Sequence, residues 1–314
     1  YIKLLDGDDV KNPAKVIGYD PILDLALLKA EIEPEFVLSL GSSEKLKVGT
    51  EILAIGAPIG LEGTLTSGII STVDRKLNTL GNYFQVDAAI NSGNSGGPLI
   101  DKNNMVQAVV FAGIPSFQGL NFAIPVEYLR QILPLMYSGD QVFHSWIGAY
   151  GHTKRRASKK VGLEVQYILP GGVASKSGLK ENDVIISVDN KNITSLEDFQ
   201  FVLMGHNVGT MLKCKYISSS EDVEKETYIY LEMRSKEPVV EIYKSDYYAN
   251  AFVPFFGLKL IPTSSSRKKS FMVEKVIRGT AADELGFSEN DKLVVGKVKL
   301  DSKNKYLIAQ VSTQ

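Results

Sequence analysis

The chain has 314 residues, 44% of them hydrophobic and 23% charged, enough for two or three domains with buried cores. Its 35 Lys+Arg against 36 Asp+Glu give a formal net charge of −1, so there is no basic excess to select a nucleic-acid partner. One cysteine, Cys214, excludes an internal disulfide framework and a cysteine-based zinc site, and no apolar run approaches the roughly 20 residues that span a bilayer.

The chain opens on Tyr1-Ile2-Lys3-Leu4-Leu5, which reads as a strand already under way, without initiator Met or signal peptide. The expectation is a truncated product of a longer protein. Short apolar runs follow at 51–55, 66–70, 83–86, 99–100 and 106–111, separated by Gly, Pro, Asn and Asp. That spacing predicts an all-β barrel or sandwich up to about residue 127, with Asp101-Lys102-Asn103-Asn104 as a hairpin turn. A helix is predicted from about Pro125, with Val126, Leu129, Ile132 and Leu133 at helical spacing. Proline is expected at its first position and Ser138-Gly139 after its end.

Beyond Gly139 the pattern becomes mixed α and β. Strands are predicted at 163–168 and 184–188, a single helical turn at 173–177, and a helix at 195–204. Ser195 and Asp198 have capping-box spacing at the start of that helix. A strand pair at 211–217 and 226–232 follows, joined by a polar loop at 218–222, with Cys214 as a small core residue. The basic residues Lys154-Arg155-Arg156 and Lys159-Lys160 read as a solvated loop. A shift of 108 residues superposes Gly171 on Gly279, Ala174 on Ala282, Gly178 on Gly286 and Glu181-Asn182-Asp183 on Glu289-Asn290-Asp291. The preceding strands match with an offset of one, 163–168 on 272–277. Six identities at one register indicate a duplication, whose second copy lacks a counterpart of the Ser195 helix.

The strongest chemical signal is Asn91-Ser92-Gly93-Asn94-Ser95-Gly96-Gly97-Pro98-Leu99. A serine hydroxyl needs a base to become a nucleophile, and the attacked carbonyl oxygen needs donors aimed at its developing charge. Glycines around Ser95 let backbone N–H groups converge, with Gly93, Asn94 and Ser95 as the candidate oxyanion loop. The run also satisfies G-x-S-x-G, but Pro98 and a strand pair follow where the hydrolase elbow requires a helix. The remaining order is histidine, aspartate, serine. Asp24, in Asp20-Pro21-Ile22-Leu23-Asp24-Leu25-Ala26-Leu27-Leu28-Lys29, stands among the small and aliphatic residues expected to bury such a carboxylate.

These segments, with Leu53-Ala54-Ile55-Gly56-Ala57-Pro58-Ile59-Gly60, Thr66-Ser67-Gly68-Ile69-Ile70-Ser71, Gln85-Val86-Asp87-Ala88-Ala89-Ile90-Asn91 and Asn121-Phe122-Ala123-Ile124-Pro125, resemble the HtrA (Deg) serine proteases. The resemblance implies a mainly β chain, a trypsin-like double β-barrel with its first barrel incomplete, followed by PDZ-like α+β domains. It implies Ser95 as nucleophile, Asp24 as the group orienting a histidine, and the Gly93 and Ser95 amides as oxyanion hole. It places substrate backbone along Phe111-Ala112. Ser92, Phe111 and Asn121 depart from the family pattern, and Phe111 is expected to narrow the pocket or change its preference. The family's histidine falls before the position matching Tyr1. His144, His152 and His206 do not replace it, so the chain as it stands is expected to be inactive.

Residues 145–235 resemble a PDZ domain. Trp146-Ile147-Gly148-Ala149 would form the loop that holds a peptide's terminal carboxylate, and the peptide would add as a strand beside the Ser195 helix. Phe255-Phe256-Gly257-Leu258 repeats that loop. The expected division is a protease domain at 1–139, a first PDZ domain at 140–238 and an incomplete second PDZ-like domain at 239–314. The implied function is ATP-independent degradation of unfolded or damaged proteins outside the cytoplasm, most simply in a bacterial periplasm. Expected partners are unfolded polypeptides and exposed C-terminal peptides, in a homotrimer or higher oligomer, with no metal, no cofactor and no nucleic acid, and membrane association left open. The alternative is a catalytically inactive relative that binds polypeptides as a chaperone or scaffold.

Overall fold

Alternation of aliphatic and small side chains closes six strands into a barrel in the computed structural model, which describes residues 2–3, 11–57, 63–77, 80–113, 119–263, 269–301, 303 and 306–313. The chain divides into two units, residues 1–143 with 200–206, and residues 144–199 with 207–314. In the first unit, β1 (Ala14–Asp20) and β2 (Leu25–Ala30) form an open antiparallel sheet, extended on the β1 side by Asp140–Gln141. The barrel uses β3 (Glu51–Gly56), β4 (Thr64–Lys76), β5 (Asn82–Val86), β6 (Pro98–Ile100), β7 (Val106–Gly113) and β8 (Asn121–Pro125), in the order β8-β5-β4-β3-β6-β7. Every strand sends residues at period two into one cluster: Ile52 and Ala54, Ile70, Phe84 and Val86, Leu99, Ala108 and Val110, and Ala123. The intervening residues Tyr83 and Ile124 enter a second cluster with Leu23, Leu25, Ile132 and Met136, so β5 and β8 are buried on both faces.

Helix α1 (Val126–Tyr137) follows β8 directly. Pro125 is its N-cap rather than its first residue, and the helix continues through Pro134. Ile132 and Met136 carry its buried face. Ile2–Lys3 pairs with Lys11–Asn12, while the other residues of the opening strand expectation, and 58–60, lie outside the described residues.

Among the described residues the second unit holds two main sheets and one two-stranded sheet. The larger runs β9 (Ala149–Arg156), β10 (Lys159–Ile168), β11 (Val184–Val188), β12 (Met211–Ile217) and β13 (Glu224–Tyr230) in sequential order, with Lys191–Asn192 pairing β11. A helical turn α2 (Val173–Lys176) precedes β11 and helix α3 (Leu196–Met204) follows it. The predicted box at α3 is half right. Ser195 Oγ accepts the Asp198 N–H at 3.1 Å, but the Asp198 carboxylate reaches Thr194, accepting its N–H at 2.9 Å and its hydroxyl at 2.6 Å. The last strand starts two residues earlier than expected, and Glu232–Met233 turns away to pair with Ser145–Trp146. The basic run is less solvated than expected, because Lys154 bonds the buried carboxylate of Glu164. Glu164 also accepts Gln166 Nε2 at 2.8 Å and faces His152 Nε2 at 3.4 Å.

Two short helices, α4 (Pro238–Ser245) and α5 (Phe252–Phe256), lead to the smaller sheet: β14 (Leu258–Pro262), β15 (Ser270–Val276), β16 (Lys292–Asp301) and β17 (Tyr306–Thr313), with helical turn α6 (Ala281–Glu284) before β16. The duplication is visible as repeated hydrogen bonds. Val165 N–H donates to Asp183 C=O and Val273 N–H to Asp291 C=O, both at 2.9 Å. Asn182 and Asn290, both in the left-handed region at φ 69° and 73°, donate back to Val165 and Val273 at 2.7 and 2.8 Å. Leu163 pairs with Ile185 and Phe271 with Leu293, so these strands correspond at the same shift of 108, without the offset read from the sequence. The extra residue falls earlier, between Gly148 and β10, since Gly148 corresponds to Gly257. β16 and β17 pair as a hairpin, Asp301 opposite Tyr306, with no helix between them among the described residues.

Cys214 on β12 is fully buried, and burial pushes its thiol pKa up to about 12. The folded protein is expected to resist an aromatic disulfide reagent at pH 8 and to react with one equivalent in urea, since the thiolate is the nucleophile. Rapid labelling of the native protein would contradict the burial. Because the folded pKa lies above the unfolded value of about 8.5, this contribution to stability is complete below pH 8.5 and declines toward pH 12.

Candidate functional site

Residues 91–97 make two successive turns that share Asn94. The Asn94 N–H donates to Asn91 C=O at 3.0 Å, and the Gly97 N–H donates to Asn94 C=O at 2.9 Å. Gly93 is the third residue of the first turn, at φ 107°. A positive φ there is the type II arrangement, which turns the Ser92–Gly93 peptide over relative to type I and suits glycine alone. The loop is fastened on two sides: Ala57 N–H donates to Gly93 C=O at 3.2 Å, Gly96 N–H to Val110 C=O at 2.7 Å, and Val110 N–H to Gly97 C=O at 2.9 Å. The Asn94 side chain is fully buried and donates to Ala89 C=O at 3.4 Å.

This accounting leaves two amides unspent. The N–H groups of Asn94, Gly96 and Gly97 are committed within the protein, whereas those of Gly93 and Ser95 meet no acceptor among the described residues. Asn94, read from the sequence as part of the oxyanion loop, is therefore a turn residue and not a donor. Ser95 itself is exposed.

Asp24 ends the turn that enters β2 and adopts φ 55°, a conformation that aspartate tolerates better than most residues. It is exposed, contrary to the burial expected from its neighbours. Leu23 and Leu25 are the buried residues, and the buried carboxylate is Asp20. Asp20 Oδ1 accepts the N–H groups of Ile22 at 2.9 Å and Leu23 at 3.0 Å, closing the turn that presents Asp24. Sequence reasoning missed Asp20 as the organiser of this turn, and the Asp-Pro pair is the signal that could have found it. Among the described residues, nothing hydrogen-bonds the Asp24 carboxylate.

Beyond Val110, β7 runs past the end of β6, whose last partner is Val109. On its other side β7 still pairs with β8, Ala112 opposite Phe122 and Gly113 opposite Asn121. The backbone of residues 111–113 thus borders the serine loop as an open strand edge among the described residues. The Phe111 ring turns to the core, 5.5 Å from the ring of fully buried Tyr83.

The second candidate surface begins where Ser145–Trp146 gives way to β9. Ile147 C=O accepts the Ala174 N–H at 2.9 Å and Gly148 C=O accepts the Leu169 N–H at 2.8 Å. The N–H groups of Ile147 and Gly148 have no acceptor among the described residues. Ile147 is buried, Gly148 lies at φ 71°, and Trp146 Nε1 donates to Ala149 C=O at 3.1 Å. Ala149 opens β9, the outer strand of its sheet, and Thr153 Oγ1 on the same strand accepts the Leu196 N–H of α3 at 3.0 Å. Free amides, a strand edge and an adjoining helix are the parts needed to hold a chain end by strand addition.

Each histidine has a different environment from that of a base poised beside a serine. His144 is buried, its carbonyl bonded to the Arg234 N–H; His206 Nδ1 lies 2.8 Å from Val202 C=O. Burial holds the His152 pKa below its ordinary value, opposed by Glu164. No cluster among the described residues has the makeup of a metal site, and no helix there is long and apolar enough to cross a membrane.

Family comparisons agree with these two surfaces. The model of a trypsin-like peptidase domain matches residues 2–109, that of a PDZ domain residues 164–210, and that of a TP0546 family PDZ domain residues 239–314. Barrel, serine loop and strand-addition loop thus define a mainly β protein with a trypsin-like peptidase fold followed by PDZ domains. A "Probable periplasmic serine endoprotease DegP-like" of Marinomonas sp. (strain MWYL1) is 29% identical over 93% of this chain and 66% of its own length. One from Pseudomonas putida (strain GB-1) is 34% identical over 70% of this chain and 48% of its own length. Among solved structures, "HtrA-type protease AlgW with decapeptide" is 28% identical, covers 74% of each chain and superposes with a TM-score of 0.58. The chain is similar to DegP-like and HtrA-type proteases, and spans about half to two thirds of the length of these curated relatives.

Proposed function

We propose that the whole protein is an ATP-independent serine endopeptidase for unfolded or damaged polypeptides. The observation that carries this reading is the pair of unspent amides, that of Gly93 and that of Ser95 itself, in the loop that presents an exposed serine. An imidazole would take the Ser95 proton as Oγ attacks the scissile carbonyl, Asp24 would orient that imidazole, and the two amides would receive the oxyanion. One such donor is worth about 3 kcal/mol in the transition state. The open edge at 111–113 favours an extended substrate backbone, which an unfolded chain supplies and a folded one does not. By family likeness the histidine falls before the position matching Tyr1, so this reading takes the base from outside residues 1–314, and this segment alone is expected not to cleave.

The reading divides the chain into a protease domain at 1–139 and PDZ domains at 140–238 and 239–314, the first of which captures chain ends through Trp146-Ile147-Gly148-Ala149. Relatives named periplasmic support an extracytoplasmic location, and family likeness alone supports a homotrimer. The test is digestion of a reduced, unfolded test protein beside its folded form by the whole protein. Cleavage of the unfolded form is expected. The rival is an inactive polypeptide binder, favoured by the free Ile147 and Gly148 amides, which need no catalytic base to hold a chain end. Suppressed aggregation of the test protein without cleavage by the whole protein would establish the rival and remove the protease reading.

A further inference from the structure

The duplicated loop in the second PDZ domain has the first domain's outline without its chemistry. Gly257 corresponds to Gly148, because its carbonyl accepts the Ile277 N–H at 2.9 Å as Gly148 accepts that of Leu169. In the first domain the loop amides are free. In the second, Phe255 and Phe256 lie in α5, Phe255 N–H donates to Ala251 C=O at 3.3 Å, and Gly257 N–H is spent on Val253 C=O at 3.0 Å. The loop has become a helix C-terminus, whose outward carbonyls repel a carboxylate. The Phe252 and Phe256 rings pack together at 5.0 Å, and the β16–β17 hairpin supplies no helix to wall a groove.

What the second domain's leading helices touch is the first domain's loop. Ile242 of α4, fully buried, and Ala251 form a cluster with Tyr167 and Leu169, against which Trp146, Tyr150, Val253 and Phe255 pack. The Trp146 ring meets Tyr150 edge-on at 5.6 Å, and the Tyr167 hydroxyl donates to Asp246 Oδ2 at 2.9 Å. Trp146 therefore joins two places. Its ring is held by the cluster, while its Nε1 holds the carbonyl of Ala149, the first residue of the strand edge.

We propose that the second PDZ domain binds no chain end and instead clamps the first domain's carboxylate loop through Trp146, setting that loop's affinity for free C-termini. The proposal rests on the reading of residues 146–149 as a carboxylate loop and assigns its control to α4 and α5. Distortion of the clamp is transmitted to Ala149 through the Trp146 Nε1 hydrogen bond to its carbonyl.

The experiment titrates the full chain with fluorescent ten-residue peptides ending in Val, Leu or Phe, each beside its amide-capped twin, and follows emission of Trp146, the one tryptophan. One site per chain is expected, specific for the free carboxylate and abolished by Gly148→Glu, which sets a negative charge at the loop. Ile242→Ala and the milder Asp246→Ala are each expected to weaken binding about tenfold at unchanged stoichiometry, with Trp146 emission shifted to the red. The Asp246 variant keeps the test open if the Ile242 variant does not fold. A second carboxylate-specific site, or one surviving Gly148→Glu, overturns the proposal. So does unchanged affinity in a variant whose Trp146 emission has shifted. Failure of wild type to prefer free carboxylates over their capped twins has a different signature: it removes the carboxylate-loop reading, and the clamp falls with it.

Discussion

Replacing Ser95 by alanine in the whole protein is expected to lower kcat on an unfolded substrate by about six orders of magnitude, leaving KM within a few fold. The asymmetry follows from where Ser95 stands. Its hydroxyl is exposed and its side chain fastens no turn, since the loop is held by backbone bonds from Asn94, Gly96 and Gly97. The variant should therefore keep the melting temperature of the parent and retain its substrate affinity. A residual rate above water is expected from the Gly93 and Ser95 amides, which the substitution does not touch. Time courses with a quenched fluorescent protein substrate would measure both parameters, and undiminished turnover would sink the assignment of Ser95 as nucleophile.

Gly97→Ala should fail for the opposite reason. A Cβ at Gly97 would stand 2.2 Å from the carbonyl oxygen of Ile55 and 2.9 Å from that of Asn94, both backbone atoms. Neither can rotate away as a side chain could, so either β3 or the serine loop must move. Overpacking against a rigid element costs about 3 kcal/mol. The expected result is a lower urea midpoint for the first unit together with lost turnover, because the displaced loop no longer aims the Gly93 and Ser95 amides. Wild-type stability in this variant would show that β3 and the loop are further apart than described.

Local chemistry made much of this legible in the sequence. Short apolar runs between turn residues located the barrel strands because each strand is brief and buried in a common core, and the Gly-rich serine motif located the loop because its turns need positive φ at fixed positions. What escaped depends on which of several nearby partners a group takes, and spacing alone does not decide that. Asp24 looked buried because Leu23 and Leu25 are, but a turn organised by Asp20 points it outward. Asn94 looked like a donor until its amide was found spent on Asn91. The reciprocal half of the capping box went to Thr194, one residue before Ser195, a distinction that spacing cannot make. Phe255-Phe256-Gly257-Leu258 resembled a ligand loop, yet a preceding Ala251 and Val253 able to accept its amides wound it into a helix.

The repeated corners at Asn182 and Asn290 leave the chain with an ambiguity of assembly. Backbone bonds there are alike in partner and length, so they do not tell β10 to seek β11 rather than β16. Discrimination falls on side-chain volume, Leu163 over Ile185 in one copy and Phe271 over Leu293 in the other. Divergence at these two buried pairs is thus what keeps each half of the tandem folding on itself instead of exchanging strands with its neighbour.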